Sequence, residues 1–425
     1  MNEVFVEKFG GASVNSSEAI KNVASIILSQ NKKRLIVISA MGKTTNQLEK
    51  VLNSFVENKI IDKSSIEGSK NYHKTIINNL FPNNENCLDS FLDNTYKEIE
   101  NKLLNYNIDK NYDKIYDSIV SYGEIIGTTI ISKYFDSIGL SHKFVLASDF
   151  IKTNSSFRRA KVLWNETEEV ILKTIEPLLK STDTIITQGF IGSSLKNETT
   201  TLGREGSDFS AAVFAYCLNA NSVTIWKDVP GLLNADPKYF EDTMKFEQVP
   251  YSEAIELSYY GASIIHPKTI KPLENKSIPL FVKSFISPKE EGTKIDCCSN
   301  TKPLMPSYIF KDNQTLLSIF PKDFSFVVEE NLSNIFALFA KYGIKINLMQ
   351  NSALSYSVCF DQIKEELLEK LIDELSSAYS VKYNNALRLI TIRRYTEEAI
   401  NNLFIGDKII IEQRSRLTAQ FLVKL

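Results

Sequence analysis

Up to residue 284, short apolar segments alternate with stretches of helical period, and each apolar segment runs out in small or polar residues. Segment 4–9 stops at Gly10-Gly11 ahead of a helix at about 16–28, and 34–39 leads into Ala-Met-Gly-Lys-Thr-Thr-Asn before a helical pattern from Gln47. Likewise 143–147 ends at Ser148-Asp149, 184–188 at Gly189-Phe190-Ile191-Gly192, and 222–227 at Asp228-Val229-Pro230-Gly231, with a further strand at 278–284. Between residues 48 and 137 the pattern is mainly helical, broken by Asn-rich linkers such as Pro82-Asn83-Asn84-Glu85-Asn86. Such alternation predicts a largely parallel sheet with helices on both faces. Ligands of such sheets bind outside the carboxyl ends of the strands, so these polar loops are expected to share one rim.

The most heavily equipped turn on that rim is 199–212, TTTLGREGSDFSAA. Gly203 and Gly206 flank Arg204 and Glu205, so the backbone can bend closely around whatever the arginine holds. Ser207 or Asp208 is expected to cap a helix with one apolar face through Phe209, Ala212, Val213, Tyr216 and Cys217. Free amides, the positive end of the helix dipole and hydroxyls then converge, as an anion such as phosphate requires; a capped surface turn is the plain alternative. Lys8, at the end of the first strand, poses the same choice between a phosphate ligand and a solvated cation. Glu124 falls among Val120, Ile125, Ile126, Gly127, Ile130 and Ile131. It lies either on the exposed face of an amphipathic helix or in a cleft beside Gly127, and pattern alone favours exposure.

At 425 residues the chain exceeds one ordinary core, so two or three domains are expected. A formal net charge of -2 and no long basic stripe argue against nucleic acid or an anionic membrane as the main partner. Apolar runs are far shorter than a membrane span, and the start MNEVFVEKFGG carries acidic residues early, which points to a cytoplasmic protein. Five cysteines without CxxC spacing suggest reduced thiols, and His73, His142 and His266 offer no metal-ligand cluster by spacing, so no protein-held metal is expected. His266, ahead of Pro267, reads as a packed turn residue.

Composition shifts at 287–306, a Pro-, Gly- and Ser-containing stretch with vicinal Cys297-Cys298, read as linker. Beyond it come a strand at 316–320, a helix at 332–342, strands at 344–349 and 354–360, a helix at 364–377 and a possible strand at 381–383. That is the β-α-β-β-α-β order of a ferredoxin-like unit. Residues 386–423 repeat it incompletely.

Taken together, KFGGAS (8–13), SAMGKTTN (39–46), GE (123–124), TTTLGREGSD (199–208), KDVPG (227–231) and GASIIHP (261–267) resemble the motif set of the monofunctional aspartokinases. Order and spacing agree over nearly the whole chain, and the final third is similar to that family's tandem ACT regulatory units. The resemblance implies an α/β amino-acid-kinase fold, a mostly parallel central sheet flanked by helices, followed by two ferredoxin-like ACT units of which the second is incomplete. Its expected divisions are a catalytic domain at 1–290, a linker at 291–306, a first ACT-like unit at 307–384 and a shortened second at 385–425.

The reaction so implied moves the γ-phosphoryl of ATP to the side-chain carboxylate of L-aspartate, the first step towards lysine, threonine and methionine. Lys8, with the amides of Gly10 and Gly11, would clamp the transferring phosphate, and Asp208 would orient Lys8. Arg204 would grip the α-carboxylate of aspartate and Glu124 its ammonium, with Ser39, Thr45 and Ser207 as hydroxyl donors. Ser13, Lys227, Asp228, Leu233, Lys238 and Ser263 fall at nucleotide positions, with Mg2+ held mainly by phosphate oxygens and water. Asn331, Leu332, Asn347 and Met349 fall at the regulatory positions of a possible amino-acid effector. Ala12 and Ser263 depart from the family's usual Thr and Lys; they define the alternative of a catalytically weakened amino-acid sensor, and a kinase of another amino acid is the second alternative. A homodimer through the regulatory units is expected, because an incomplete unit leaves strand edges to cover.

Overall fold

The structure is a computed structural model describing residues 3–83, 88–106, 111–262, 265–323, 325–403 and 408–424. Ser263, Cys87 and most of the linker expected at 82–86 lie outside the described residues. The chain divides into two compact units, Met1–Leu232 with Lys245–Ile255 and Ile264–Pro303, and Leu233–Met244 with Glu256–Ser263 and Leu304–Leu425.

The first unit is built on strands β1 (Val4–Phe9), β2 (Lys33–Ile38), β3 (Lys143–Phe144), β4 (Lys152–Thr153), β5 (Thr184–Gln188), β6 (Ile191–Ser194), β7 (Thr199–Thr201), β8 (Ser222–Lys227), β9 (Gln248–Pro250), β10 (Leu280–Ser284) and β11 (Thr293–Asp296). Eight of them form one sheet in the order β3-β5-β2-β1-β8-β10-β11-β9, parallel from β3 to β10, with β11 antiparallel to β10. Strands β4, β6 and β7 form a small second sheet. The central parallel strands β5, β2, β1 and β8 are buried almost along their length, as expected where both faces are covered, whereas the edge strand β3 is exposed. Residue parity in β1 sets the two faces: Phe9 joins a large core of Ile36, Ile38, Ile186, Trp226 and the helices Ser17–Leu28, Thr44–Asn58 and Tyr112–Ser137, while Lys8 projects oppositely. Thr293–Asp296, within the expected linker, is a strand instead: it pairs with β10 and β9, partners that local composition does not reveal.

Helix Gly206–Leu218 departs from the expected amphipathic reading in two ways. It begins at Gly206, so Ser207 and Asp208 lie in its first turn. Its N-cap is Glu205, in the left-handed region at φ 53 and without a side-chain cap. Nor does it carry a single apolar face; it is buried around most of its circumference, and Phe209 and Tyr216 are among its less covered positions.

The second unit contains β12 (Ser307–Pro321), β13 (Ile346–Asn351), β14 (Tyr356–Asp361), β15 (Tyr379–Arg393), β16 (Lys408–Arg414) and β17 (Thr418–Lys424) in the order β13-β14-β12-β15-β17-β16. The strands expected separately at 381–383 and 386–392 are one, β15, which pairs with β12 from Ser307↔Arg393 to Pro321↔Tyr379. The early half of β12 thereby gives the shortened second half of the unit a strand it lacks in its own sequence. The boundary expected at 384–385 falls inside β15.

Candidate active site

Lys8 reaches the start of helix Gly206–Leu218, where its Nζ lies 2.7 Å from Asp208 Oδ1. Lys227, at the end of neighbouring β8, brings its Nζ to 3.6 Å from Asp208 Oδ2. Burial alone would raise the Asp208 carboxyl, but the Lys8 and Lys227 ammoniums outweigh it and hold the group below the usual carboxylate range. One carboxylate thus ties two strand ends to one helix start.

After β1 the chain turns through Gly10 into the short 3-10 helix Gly11–Val14. The amide and hydroxyl of Ser13 both donate to Gly10 O, at 3.0 and 2.7 Å, so this expected nucleotide residue spends its buried side chain on closing the turn. A Cβ at Gly11 would lie 2.9 Å from the carbonyl oxygens of Ala40 and Gly42, which brings the loop after β2 against the loop after β1.

Glu124 is buried, contrary to the exposure its pattern favours, because helix Tyr112–Ser137 presses on the turn after β2 and the start of helix Thr44–Asn58: a Cβ at Gly123 would lie 3.2 Å from the Ala40 side chain and 3.5 Å from those of Thr44 and Thr45. Burial pushes its pKa up to about 8, against the opposing pull of the Ala40 amide and the Lys8 charge. Its Oε2 has no hydrogen-bond partner among the described residues.

These groups open on a cleft of about 870 Å³ whose walls include Lys8, Thr45, Glu124, Arg204, Ser207, Asp208 and Lys227. Sequence reasoning missed Asp113, Tyr116, Phe157, Arg158, Arg159 and Phe190 on the same walls. A basic pair behind an aromatic residue in a Ser- and Asn-containing loop was the one local signal for Arg158 and Arg159. Arg158 takes φ 63 and lays its guanidinium 4.2 Å from the centre of the Tyr116 ring. Lys268 lies beneath the Arg204 turn, donating to Leu202 O at 2.9 Å; burial pushes its pKa down to about 8. His266 is the expected turn residue and caps helix Pro267–Asn275, its Nδ1 accepting from Lys268 N at 3.1 Å.

Other expected positions fall elsewhere. Ser39 is buried at the end of β2, and Asp228 is exposed beyond β8. Leu233 and Lys238 belong to the second unit. In that unit Asn331 accepts from Val328 N at 3.0 Å at the start of helix Glu329–Lys341, Leu332 packs on the core beneath, and Met349 is half exposed on β13. Asn347 accepts from Lys311 Nζ and donates to Gln314 Oε1 and Asp361 Oδ1, each at 2.9 Å. Among the described residues no group of three His, Cys, Asp or Glu converges on a metal-sized site, and no helix is long and apolar enough to cross a membrane.

A parallel sheet whose strand ends gather lysines, glycine turns and a helix start around one cleft is the architecture of a phosphoryl-transfer enzyme of the amino acid kinase class, and the sequence model of the amino acid kinase family matches residues 3–284. The lysine-sensitive aspartokinase 3 of Escherichia coli is 30% identical over 92% of this chain and 87% of its own length. The bifunctional aspartokinase/homoserine dehydrogenase 2 of Arabidopsis thaliana is 29% identical over 90% of this chain, which spans 42% of that protein. Among solved structures, E. coli aspartokinase III in complex with aspartate and ADP superposes with a TM-score of 0.83 at 26% identity, covering 99% of this chain and 96% of that one. The chain belongs to the amino acid kinase family and, within it, to the aspartokinases, ATP-dependent kinases of aspartate.

Proposed function

We propose that the cleft aligns the β-carboxylate of L-aspartate with the γ-phosphorus of ATP, and that Lys8, Asp208, Arg204 and Glu124 carry the work. The observation that supports this most directly is Glu124: a buried carboxylate oxygen without a partner among the described residues, on the wall of the cleft that also holds Arg204, suits a substrate ammonium. Arg204 is exposed on that wall and matches an α-carboxylate through its planar fork. Thr45, Ser39 and Ser207 supply hydroxyls around the same substrate.

The attacking β-carboxylate is already ionised near neutrality, so the chemistry requires no general base. An oxygen of that carboxylate forms a bond to the γ-phosphorus while the bond to the bridging oxygen breaks, releasing ADP and 4-phospho-L-aspartate. Asp208, held low by two lysines, is unsuited to take a proton; its task is to aim Lys8 and Lys227 at the charge on the phosphates. The amides of Gly10 and Gly11, with Asp228, Leu233, Lys238 and Ser263, complete the proposed nucleotide contacts. Mg2+, bound with the nucleotide, would neutralise phosphate charge, and we assign it mainly to phosphate oxygens and water.

The solved T-state of E. coli aspartokinase III holds lysine and aspartate. For this chain we propose an amino-acid effector at the second unit, near Asn331, Leu332, Asn347 and Met349, and a homodimer that covers the outer strands β13 and β16. Light scattering at micromolar concentration that reports monomer alone would exclude the dimer. Free thiols at Cys217, Cys297, Cys298 and Cys359 suit a cytoplasmic enzyme.

Substitution of Arg204→Lys tests the substrate assignment. The aspartate KM should rise at least about tenfold with the ATP KM nearly unchanged, and equal effects on both would refute it.

A further inference from the structure

The two arginine-bearing walls of the cleft hang on a single buried carboxylate that does not itself line it. Asp117 lies on helix Tyr112–Ser137 seven residues before Glu124, two helical turns along the same face. Its side chain is fully buried. Both of its oxygens accept from the amide of Arg158, at 3.0 and 2.9 Å, while Oδ2 accepts from Thr201 N at 2.8 Å and Oδ1 from the Thr201 hydroxyl at 2.6 Å. Arg158 directly precedes Arg159, and Thr201 stands three residues before Arg204. The two turns also touch each other: Ala160 N donates to Thr201 O at 3.0 Å, and a Cβ on Gly203, itself at φ 75, would lie 3.0 Å from Arg158 O.

We propose that Asp117 is a positioning residue for substrate binding, a clip that sets the Arg159 and Arg204 turns against the helix that carries Glu124. Arg158 holds a left-handed backbone that an arginine adopts only when its surroundings impose it, and its amide is the group Asp117 grips twice. Arg159 is exposed on the cleft wall; its amide closes the turn on Ser156 O at 3.3 Å, while its guanidinium has no ion pair or hydrogen bond among the described residues and is free to meet an anion. The clip fixes the distance between the cations that meet carboxylate or phosphate oxygens and the anion that meets the ammonium, which is the dimension by which a small amino acid is recognised. The proposal rests on the substrate assignment above.

Steady-state kinetics on Asp117→Asn test it. The amide presents a donor to groups that are themselves donors, so the turns lose their register; the aspartate KM should rise about tenfold while kcat and the ATP KM stay within about twofold. Joined to Arg204→Lys, the penalty in aspartate KM should fall well short of the product of the two single penalties, because Asp117 acts through that arginine. A general loss of stability would move both KM values or neither and would multiply. Should Asp117→Asn fail to fold, Thr201→Val decides: it removes only the hydroxyl, and a selective rise of about threefold in aspartate KM supports the clip. An unchanged aspartate KM in the folded variants, or penalties that multiply, would overturn it. Arg204→Lys alone addresses the substrate assignment, so failure of that assignment and failure of the clip give different results.

Discussion

Lys8 Nζ sits 2.7 Å from Asp208 Oδ1, on a carboxylate that is 2% exposed and shared with Lys227. Two cations held on one anion stay close together, and the group keeps a net positive charge to offer phosphate oxygens.

Removing either side of this pair therefore acts on the chemical step. Lys8→Ala should lower kcat by about 10²- to 10³-fold, the loss typical of one preorganised donor to a developing charge. Asp208→Asn leaves two ammoniums to repel each other and should cost about 10²-fold in kcat. ADP release measured at saturating aspartate and ATP checks both; a drop of less than about fivefold for Lys8→Ala would end its role as phosphate clamp.

Strand ends were legible because a run of apolar residues followed by glycine, as at Phe9-Gly10-Gly11, expresses local physics: burial on both faces, then a close turn. The start of helix Gly206–Leu218 was misjudged because Glu205 caps it through a left-handed backbone, which leaves no side-chain signature. Asp117, whose partners lie 41 and 84 residues away, has no periodic signal at all; its neighbours in sequence say nothing of the amides it holds. Glu124 was ambiguous for a related reason, since only the glycine beside it hints that another segment comes near enough to enclose the carboxylate. The strand Thr293–Asp296 was hidden by linker-like composition, and the continuity of β15 by the polar residues Asn384 and Asn385 at its centre.

Glu124 should couple substrate affinity to pH. Its pKa is raised by burial to about 8 in the absence of a ligand, and the ionised form is the one that holds an ammonium. The aspartate KM should fall as pH rises from 6.5 towards 8 and level off above that, whereas Glu124→Gln should show a higher and pH-independent KM over that range. Stability moves oppositely. A carboxyl whose pKa folding has raised retains its proton between about 4.5 and 8 while the unfolded chain has lost it, so its contribution to stability falls with rising pH in that window. Thermal unfolding should find Glu124→Gln more stable than the wild type at pH 8 and no more stable at pH 4; equal melting temperatures at pH 8 would contradict the raised pKa.

Beneath the site, Arg34 on β2 pairs with Glu7 on β1 at 3.1 Å, with both side chains almost fully buried and Lys32 supporting Glu7 at 3.2 Å. Arg34→Met would leave Glu7 with a single, partly exposed partner. A loss of about 3 kcal/mol in urea unfolding is expected, with the aspartate and ATP KM values unchanged. A loss below about 1 kcal/mol would mean that Lys32 alone compensates the charge.

Gly189 ends β5 where Ser207 passes, and a Cβ there would lie 2.4 Å from Ser207 Cβ and 2.7 Å from its Cα. The obstacle is backbone, so no rotamer change relieves it. Gly189→Ala must push the start of helix Gly206–Leu218 away from the strand end, at a cost of about 1–3 kcal/mol. Asp208 is the next residue along and moves with it, which withdraws the carboxylate from Lys8. A displacement of about 1 Å at such a pair can cost about 10²-fold in rate. Gly189→Ala should accordingly lose both melting temperature and kcat, while Gly139→Ala, at a glycine with no neighbour within 4 Å of a built Cβ, should leave kcat intact even though its φ of 72 strains the fold. Retention of full kcat by Gly189→Ala would show that the helix start tolerates the shift and that the Lys8–Asp208 distance is not set by this contact.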